Sequence, residues 1–263
     1  MLKLFLTFFI STLLLLADEH YAKLEPYQTI IIKSEVNGRV VEAKNELEGS
    51  IVNTLIVKID DKIDKLDLKH SKESLKLLEK MISINKELLP LLKKSVKKKQ
   101  NLYLKVTPLN STSTSQKESL YSAYVSAKNQ YSGVLEKILN LENQKVSLKQ
   151  KIAILEDKIA KKSIIIKDKY LYELNIKKGE YVNIGVPIAT LKDISKAKLT
   201  LYLSEDEIKN IDKKTIYING KKSDLKFSKI WKVADKTYIS LYKAEIIAKP
   251  FDSFSKLIKV EVK

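Results

Sequence analysis

Residues able to carry proton transfer, nucleophilic attack or soft-metal chemistry are few in this chain. It has two histidines, His20 and His70, and no cysteine. A general acid or base must meet its partner within hydrogen-bond reach. His20 follows an apolar N-terminal stretch and His70 stands among charged residues, and neither has an evident histidine, cysteine or carboxylate partner. The acidic pairs Asp60-Asp61 and Glu205-Asp206 read as solvated faces or helix starts. Met1 and Met81 are the only methionines, too few with no thiol for a soft-metal relay. The chain is therefore expected to be neither an enzyme nor the holder of a cofactor or metal.

Charge narrows the partners. Among 263 residues the formal charge is +17, yet the basic residues include a single arginine, Arg39, and the lysines are spread along the length. Nucleic-acid readers concentrate charge and use arginine for bidentate contacts. A solvated lysine-rich surface with weak attraction to anionic membranes is the expectation, with no nucleic-acid partner.

What the chain does contain is length. Between Asp61 and Ala160, positions 68, 71, 75, 78, 82, 85, 89, 92, 96, 99, 103 and 106 step by three and four residues and are apolar apart from Ser71, Asn85 and Lys99. A second arm repeats the spacing from Leu120 through Tyr124, Ala127, Tyr131, Val134, Ile138 and Leu141 to Ile159, failing only at Lys145. A 3.5-residue period over several heptads predicts two helices packed on each other as a coiled coil. Pro108 and the hydroxyl run Ser111 to Ser115 predict the reversal, with Thr107 barred from helix and Ser115-Gln116-Lys117-Glu118 as the capping box of the second helix. Pro90 falls one position after the seam and predicts a kink, not a stop. Arms of roughly 43 residues reach about 65 Å.

Short β runs flank this hairpin. Tyr27 to Val36, Val40-Val41, Ile51-Val52 and Leu55 to Ile59 precede it, too few residues to hide their own apolar face. Beyond it, Gly179-Glu180-Tyr181-Val182-Asn183 echoes Gly49-Ser50-Ile51-Val52-Asn53. The repetition predicts two halves of one sandwich, with Gly38, Gly49, Gly179 and Gly185 at its tight turns. From Lys196, alternating Leu199, Leu201 and Leu203, a capping box at Ser204 to Glu207, an Asn219-Gly220 hairpin, a return strand from Lys221 towards Phe227, the run Thr237 to Ala248 and a last strand with Ile258, Val260 and Val262 predict a small barrel.

The first residues, Met1-Leu2-Lys3, then apolar Leu4 to Leu16 and small Ala17, describe a secretory signal peptide cleaved after Ala17, with an uncleaved anchor as the second reading. The expected division is 1–17 signal peptide, 18–60 N-terminal segment and first sandwich half, 61–160 hairpin, 161–195 second half and 196–263 barrel.

This order of parts resembles the periplasmic adaptor family, the HlyD-like membrane fusion proteins of tripartite efflux pumps. The resemblance is carried by Asn37-Gly38-Arg39-Val40-Val41, Gly49-x-x-Val52 and Gly179-Glu180-Tyr181-Val182-x-x-Gly185. It implies an α+β fold: a split lipoyl-like barrel-sandwich, an inserted antiparallel helical hairpin and a C-terminal β-barrel. It also implies a periplasmic protein at the inner membrane that forms a ring, of six copies in the usual case. Such a ring links an inner-membrane transporter, proton-driven resistance-nodulation-division type before ABC type, to a TolC-like outer-membrane channel. Lys169 stands where the family has a glycine, and the membrane-proximal domain that many members build from both termini is expected to be missing. The hairpin tip would meet the channel through Leu102, Leu104, Leu109, Ser115 and Leu120, with Lys99 near the place of the family's arginine. Leu104 and Leu109 lie off the heptad positions, whereas Tyr103 and Leu120 sit on the seam and cap it. The competing classes are a structural coiled-coil envelope protein and a lipoyl or biotinyl carrier. The carrier needs an exposed lysine at a tight turn between the halves, where this chain has its hairpin.

Overall fold

The computed structural model describes residues 19–235 and 237–263. The expected signal peptide and its cleavage point at Ala17 lie outside the described residues. Before the hairpin come β1 (Glu19–Lys33), β2 (Gly38–Ala43), β3 (Ile51–Val52) and β4 (Leu55–Ile59). The hairpin is α1 (Lys62–Val106) and α2 (Thr114–Lys161), and β5 (Ser163–Ile165), β6 (Lys169–Leu174), β7 (Tyr181–Val182) and β8 (Pro187–Leu203) follow it.

The two β groups interlock. One sheet runs β5-β4-β2-β7, and facing it β3 pairs with β6, β6 with β8 and β8 with β1. Each sheet takes two strands from each half, so β1 answers β5, β2 answers β6, β3 answers β7 and β4 answers β8. Their shared core draws Val40, Val52, Ile56 and Ile59 from the first half and Leu171, Val182, Ile188 and Leu191 from the second. Neither half encloses an apolar interior alone, so the sandwich forms only when the hairpin returns the chain.

The repeated glycine motif has a geometric cause. Gly49 and Gly179 take φ of 79° and 98°, in the left-handed region, just before the equivalent strands β3 and β7. Gly38 is required by proximity instead, since a Cβ there would meet Ile59 Cγ2 at 2.5 Å. Two asparagines of the first half also hold the second. Asn37 Oδ1 accepts from the Ile184 N–H, and Asn53 Oδ1 accepts from the Asp168 N–H, both at 2.8 Å. The left-handed non-glycine residue in the second half is Asp168, φ 52°, so Lys169 takes ordinary extended geometry at the start of β6.

The barrel begins earlier in the chain than the expected boundary at Lys196. β1 starts at Glu19, and its first residues pair with β13 (Leu257–Val262) from Glu19↔Glu261 to Lys23↔Leu257. From Leu24 onward β1 pairs with β8, first in the barrel and then in the sandwich. β8 likewise runs unbroken from one module into the other, and the register slips between Pro26 and Gln28 as Ile194 to Lys196 bulge opposite Tyr27. α3 (Glu205–Ile208) follows, opened by the expected capping box of Ser204 and Glu207. β9 (Ile216–Ile218) and β10 (Lys221–Ser223) form the Asn219-Gly220 hairpin, both turn residues at positive φ. Beyond β11 (Phe227–Ile230) and β12 (Tyr242–Ala248) the sheet order is β10-β9-β13-β1-β8-β12-β11. One face of that sheet folds round a core of Leu24, Leu199, Leu201, Leu203, Ile216, Ile246 and Val260.

Two barrel expectations fail locally. The return strand from Lys221 towards Phe227 breaks at Ser223, whose Oγ accepts from the Leu225 N–H at 3.2 Å, and its pieces go to opposite edges of the sheet. The run from Thr237 is strand only from Tyr242, because Asp235 gathers the N–H groups of Thr237 and Tyr238 into a turn.

Candidate docking surfaces of the hairpin

The seam packs as its spacing dictates. Every heptad position of α1 from Leu68 to Val106 is buried or half-buried except Lys99, and every one of α2 from Leu120 to Ile159 is too. The polar seam residues find solutions of their own. Asn85 donates to the Met81 carbonyl at 2.7 Å, and Lys145 leans out to Glu79 at 3.0 Å. Pro90 does not end α1, which continues to Val106. At ~1.5 Å per residue, helices of 45 and 48 residues reach about 70 Å.

At the base, the seam runs into charge. Asp61 and Asp64 continue the three-four spacing and are buried. Asp64 bonds buried Lys162, and its other oxygen lies 2.7 Å from Lys158 Nζ. Lys162 Nζ also donates to the Asp60 carbonyl at 2.6 Å, which fixes both helix ends to the sandwich. Burial is the largest influence on Asp64 and acts upward, but Lys158 and Lys162 together bring its carboxyl below the usual range. The same opposition acts at Asp61, where burial is outweighed by Lys58 and Lys65. Asp61 is thus buried and not solvated, but it starts the helix as the N-cap residue of α1, and Asp60 beside it accepts from the Lys62 N–H at 3.1 Å.

The tip differs in detail from expectation. Thr107 keeps helical angles despite Pro108, because its N–H and its Oγ1–H both donate to the Tyr103 carbonyl, at 3.0 and 2.7 Å. The cap of α2 is Ser113, not Ser115: Ser113 Oγ accepts from the Gln116 N–H at 3.3 Å. Ser113-x-x-Gln116 is a second, overlapping capping-box pattern, and the earlier box gains two more helical residues. Leu102, Leu104 and Leu109 are 49%, 57% and 49% exposed. Ser115 is exposed on the first turn of α2, while Leu120 is half-buried on the seam. Tyr103 stacks obliquely on Tyr121, ring centroids 5.3 Å apart. The tip therefore offers three exposed leucines round a half-covered aromatic pair.

Reading one seam per helix misses a second. On α1, Leu77, Met81, Ile84, Leu88 and Leu91 also step by four and three, and all are exposed. On α2, Leu135, Leu139 and Val146 form a shorter exposed stripe. Relative to the buried seam these fall at the c and g positions of α1 and the b and e positions of α2. In an antiparallel pair such positions lie on opposite flanks of the hairpin. Lys86–Glu142 at 2.6 Å and Lys145–Glu79 at 3.0 Å set the level of one helix against the other. By that register the two stripes stand at the same height. The signal was present in the sequence as a second 3.5-residue period.

The two histidines part company. His70 is exposed on α1. His20, expected to stand alone, lies on β1 with Nε2 2.5 Å from Glu207 Oε1. Glu207 is buried, which raises its pKa, but the Ser204 N–H and His20 hold its carboxyl below the usual range. The pair ties β1 to α3 and does not adjoin the hairpin.

No family model matches this sequence, and no curated protein sequence matches it either. Solved structures do. MacA from Actinobacillus actinomycetemcomitans aligns with a TM-score of 0.60 at 16% identity, over 94% of this chain and 79% of that one. The membrane fusion protein Spr0693 from Streptococcus pneumoniae R6 gives 0.59 at 10% identity, over 94% and 99%. A putative efflux transporter from Bacteroides eggerthii DSM 20697 gives 0.52 at 13%, over 93% and 68%. The fold is that of the membrane fusion proteins, or periplasmic adaptors. No helix of the described residues is long and apolar enough to cross a membrane.

Proposed function

We propose that this chain is the periplasmic adaptor of a tripartite export system, joining an inner-membrane transporter to an outer-membrane exit duct. The observation that carries the reading is the hairpin: about 70 Å of paired helix, fixed at its base by Asp64 and Lys162 and ending in exposed Leu102, Leu104 and Leu109. A hairpin that only stiffened an envelope would need neither an apolar tip nor two apolar flanks. A carrier would need a free lysine at the turn between the halves, and the hairpin occupies that turn. In this reading the tip meets the duct and the barrel faces the transporter.

The flank stripes support assembly into a ring. Copies related by rotation about an axis along the hairpin stand at one height, so the α1 stripe of one copy meets the α2 stripe of the next only if the two are level. They are. A hexamer is the ring we assign, and the conduit lies along its axis.

Replacing Leu104 and Leu109 together by aspartate tests the tip. Transport in intact cells should be lost while helicity, export and ring formation persist; full transport by the double variant would overturn the duct contact. Repeating the transport assay with a protonophore at constant ATP distinguishes a proton-driven transporter from an ATP-driven one.

A further inference from the structure

The end of the molecule away from the hairpin carries a surface that neither the tip nor the flanks use. β1 runs from Glu19 towards the hairpin base, where Glu35 lies 3.5 Å from Lys161, so Glu19 marks the far end. Tyr242 pairs with Leu203, the far end of β8, and the connection between β11 and β12 projects from there. The chain's apolar N-terminal stretch, Leu4 to Leu16, thus joins the fold at the same end as this connection.

The connection satisfies part of its own backbone. The Trp231 N–H donates to the Lys243 carbonyl at 2.9 Å and the Asp235 N–H to the Leu241 carbonyl at 2.8 Å. The Asp235 carboxylate accepts from the N–H groups of Thr237 at 2.8 Å and Tyr238 at 3.2 Å. The Tyr238 ring rests 4.3 Å from that of Tyr202. Ile239 is 87% and Val233 78% exposed, the highest values among the described large hydrophobic residues. Lys229 and Lys243 lie 4.3 and 4.6 Å from the Trp231 ring, and Lys232 is exposed beside Val233.

We propose that this connection is a lipid-contact loop, with Val233 and Ile239 entering the acyl boundary of an anionic bilayer. Trp231 and Tyr238 sit at headgroup level, where amphipathic rings are favoured, and Lys229 and Lys232 meet lipid phosphates, while Lys243 stays paired with Glu245 at 3.0 Å. The N–H groups of Trp231, Asp235, Thr237 and Tyr238, already bonded within the protein, lose little on leaving water. Two aliphatic side chains alone hold a membrane weakly, and the lysines supply the second attraction that reversible docking requires. A lipid surface fits better than a protein here. Two protruding side chains in a basic, aromatic rim need no shaped pocket, and the apolar N-terminal stretch brings this same end to a bilayer during export. The inference rests on the adaptor reading only in turning the barrel end towards the inner membrane.

Trp231 is the only tryptophan, so its emission reports on the loop in the unmodified full chain. Vesicles of phosphatidylglycerol and phosphatidylethanolamine should shift that emission to the blue. Lipids brominated near the headgroup should quench it roughly two-fold, a shallow interfacial depth. The double variant V233D/I239D should lose both effects with an unchanged circular dichroism spectrum, even where the N-terminal stretch keeps the chain on the vesicles. Emission unmoved by anionic vesicles would overturn the proposal. So would an equal shift with neutral phosphatidylcholine, or a shift that appears only when a membrane transporter is added, which would make the loop a protein contact. None of these failures touches the transport result of the tip double variant, so the two readings fall separately.

Discussion

Lys169 Nζ donates to Asp193 Oδ2 at 2.6 Å, joining the first residue of β6 to β8 just before the bulge that separates sandwich from barrel. Asp193 also accepts from the Ser195 N–H at 3.1 Å and from its hydroxyl at 2.6 Å. Lys169 first, and Ser195 after it, hold the Asp193 carboxyl at about 2 against an ordinary 3.8.

A carboxyl depressed in the folded state stabilises the fold above its unfolded pKa and ceases to as pH falls through the folded value. The window here lies between about pH 4 and pH 2. Lys169→Met should cost about 1 kcal/mol at neutral pH, allowing for solvent screening of the partly exposed ammonium, and much less at pH 2. Urea unfolding at both pH values measures the difference; an equal loss at both would refute the linkage.

The Asp64–Lys162 pair predicts a different pattern. Lys162→Met leaves a buried carboxylate with one remaining lysine and should cost about 3 kcal/mol, whereas D64L/K162M together should cost much less. Denaturant midpoints of the two single variants and the double variant give the coupling. Additive losses would mean that the pair is not shielded as its burial implies.

Glycines separate by their surroundings. Gly38→Ala drives a methyl against Ile59 and should cost about 1–3 kcal/mol. Gly133 lies in α2 with nothing within 4 Å of an added Cβ, and Gly133→Ala should stabilise by about 0.5–1 kcal/mol. Thermal melts of the two variants should move in opposite directions.

Ring contact through the flanks is readable by chemistry, because the chain has no cysteine of its own. Cysteines placed at Leu88 on α1 and Leu139 on α2, each in a separate variant, should crosslink to one another between copies in intact envelopes, and neither should crosslink well to itself. Ile84→Asp with Leu88→Asp should abolish that product without changing helicity. Efficient Leu88-to-Leu88 linkage would indicate a two-fold pair instead of a ring.

Periodic and local features were legible in the sequence. The seam, the glycine repeat, the Ser204 capping box and the Asn219-Gly220 turn each need only a few neighbouring residues to specify them. Features set by distant partners were not. The stretch Glu19 to Pro26 buries only Ala22 and Leu24, too sparse a pattern to announce a strand, and it is ordered by pairing with β13 at the other end of the chain. His20 meets Glu207, and Asp64 meets Lys162, across separations that no motif spacing records. At the tip, two capping boxes overlap, and the choice of Ser113 over Ser115 rests on one more half-turn of helix.

β1 and β8 cross from barrel to sandwich as one antiparallel ribbon, so the two modules are not beads on a string but the two ends of a lever. Backbone ladders resist stretch and in-plane bending along its length, and the irregular stretch opposite Tyr27 is where torsion has least to oppose it. A small rotation at that joint would therefore turn the sandwich and hairpin base relative to the barrel, and about 70 Å of helix would convert it into a sideways sweep of the tip.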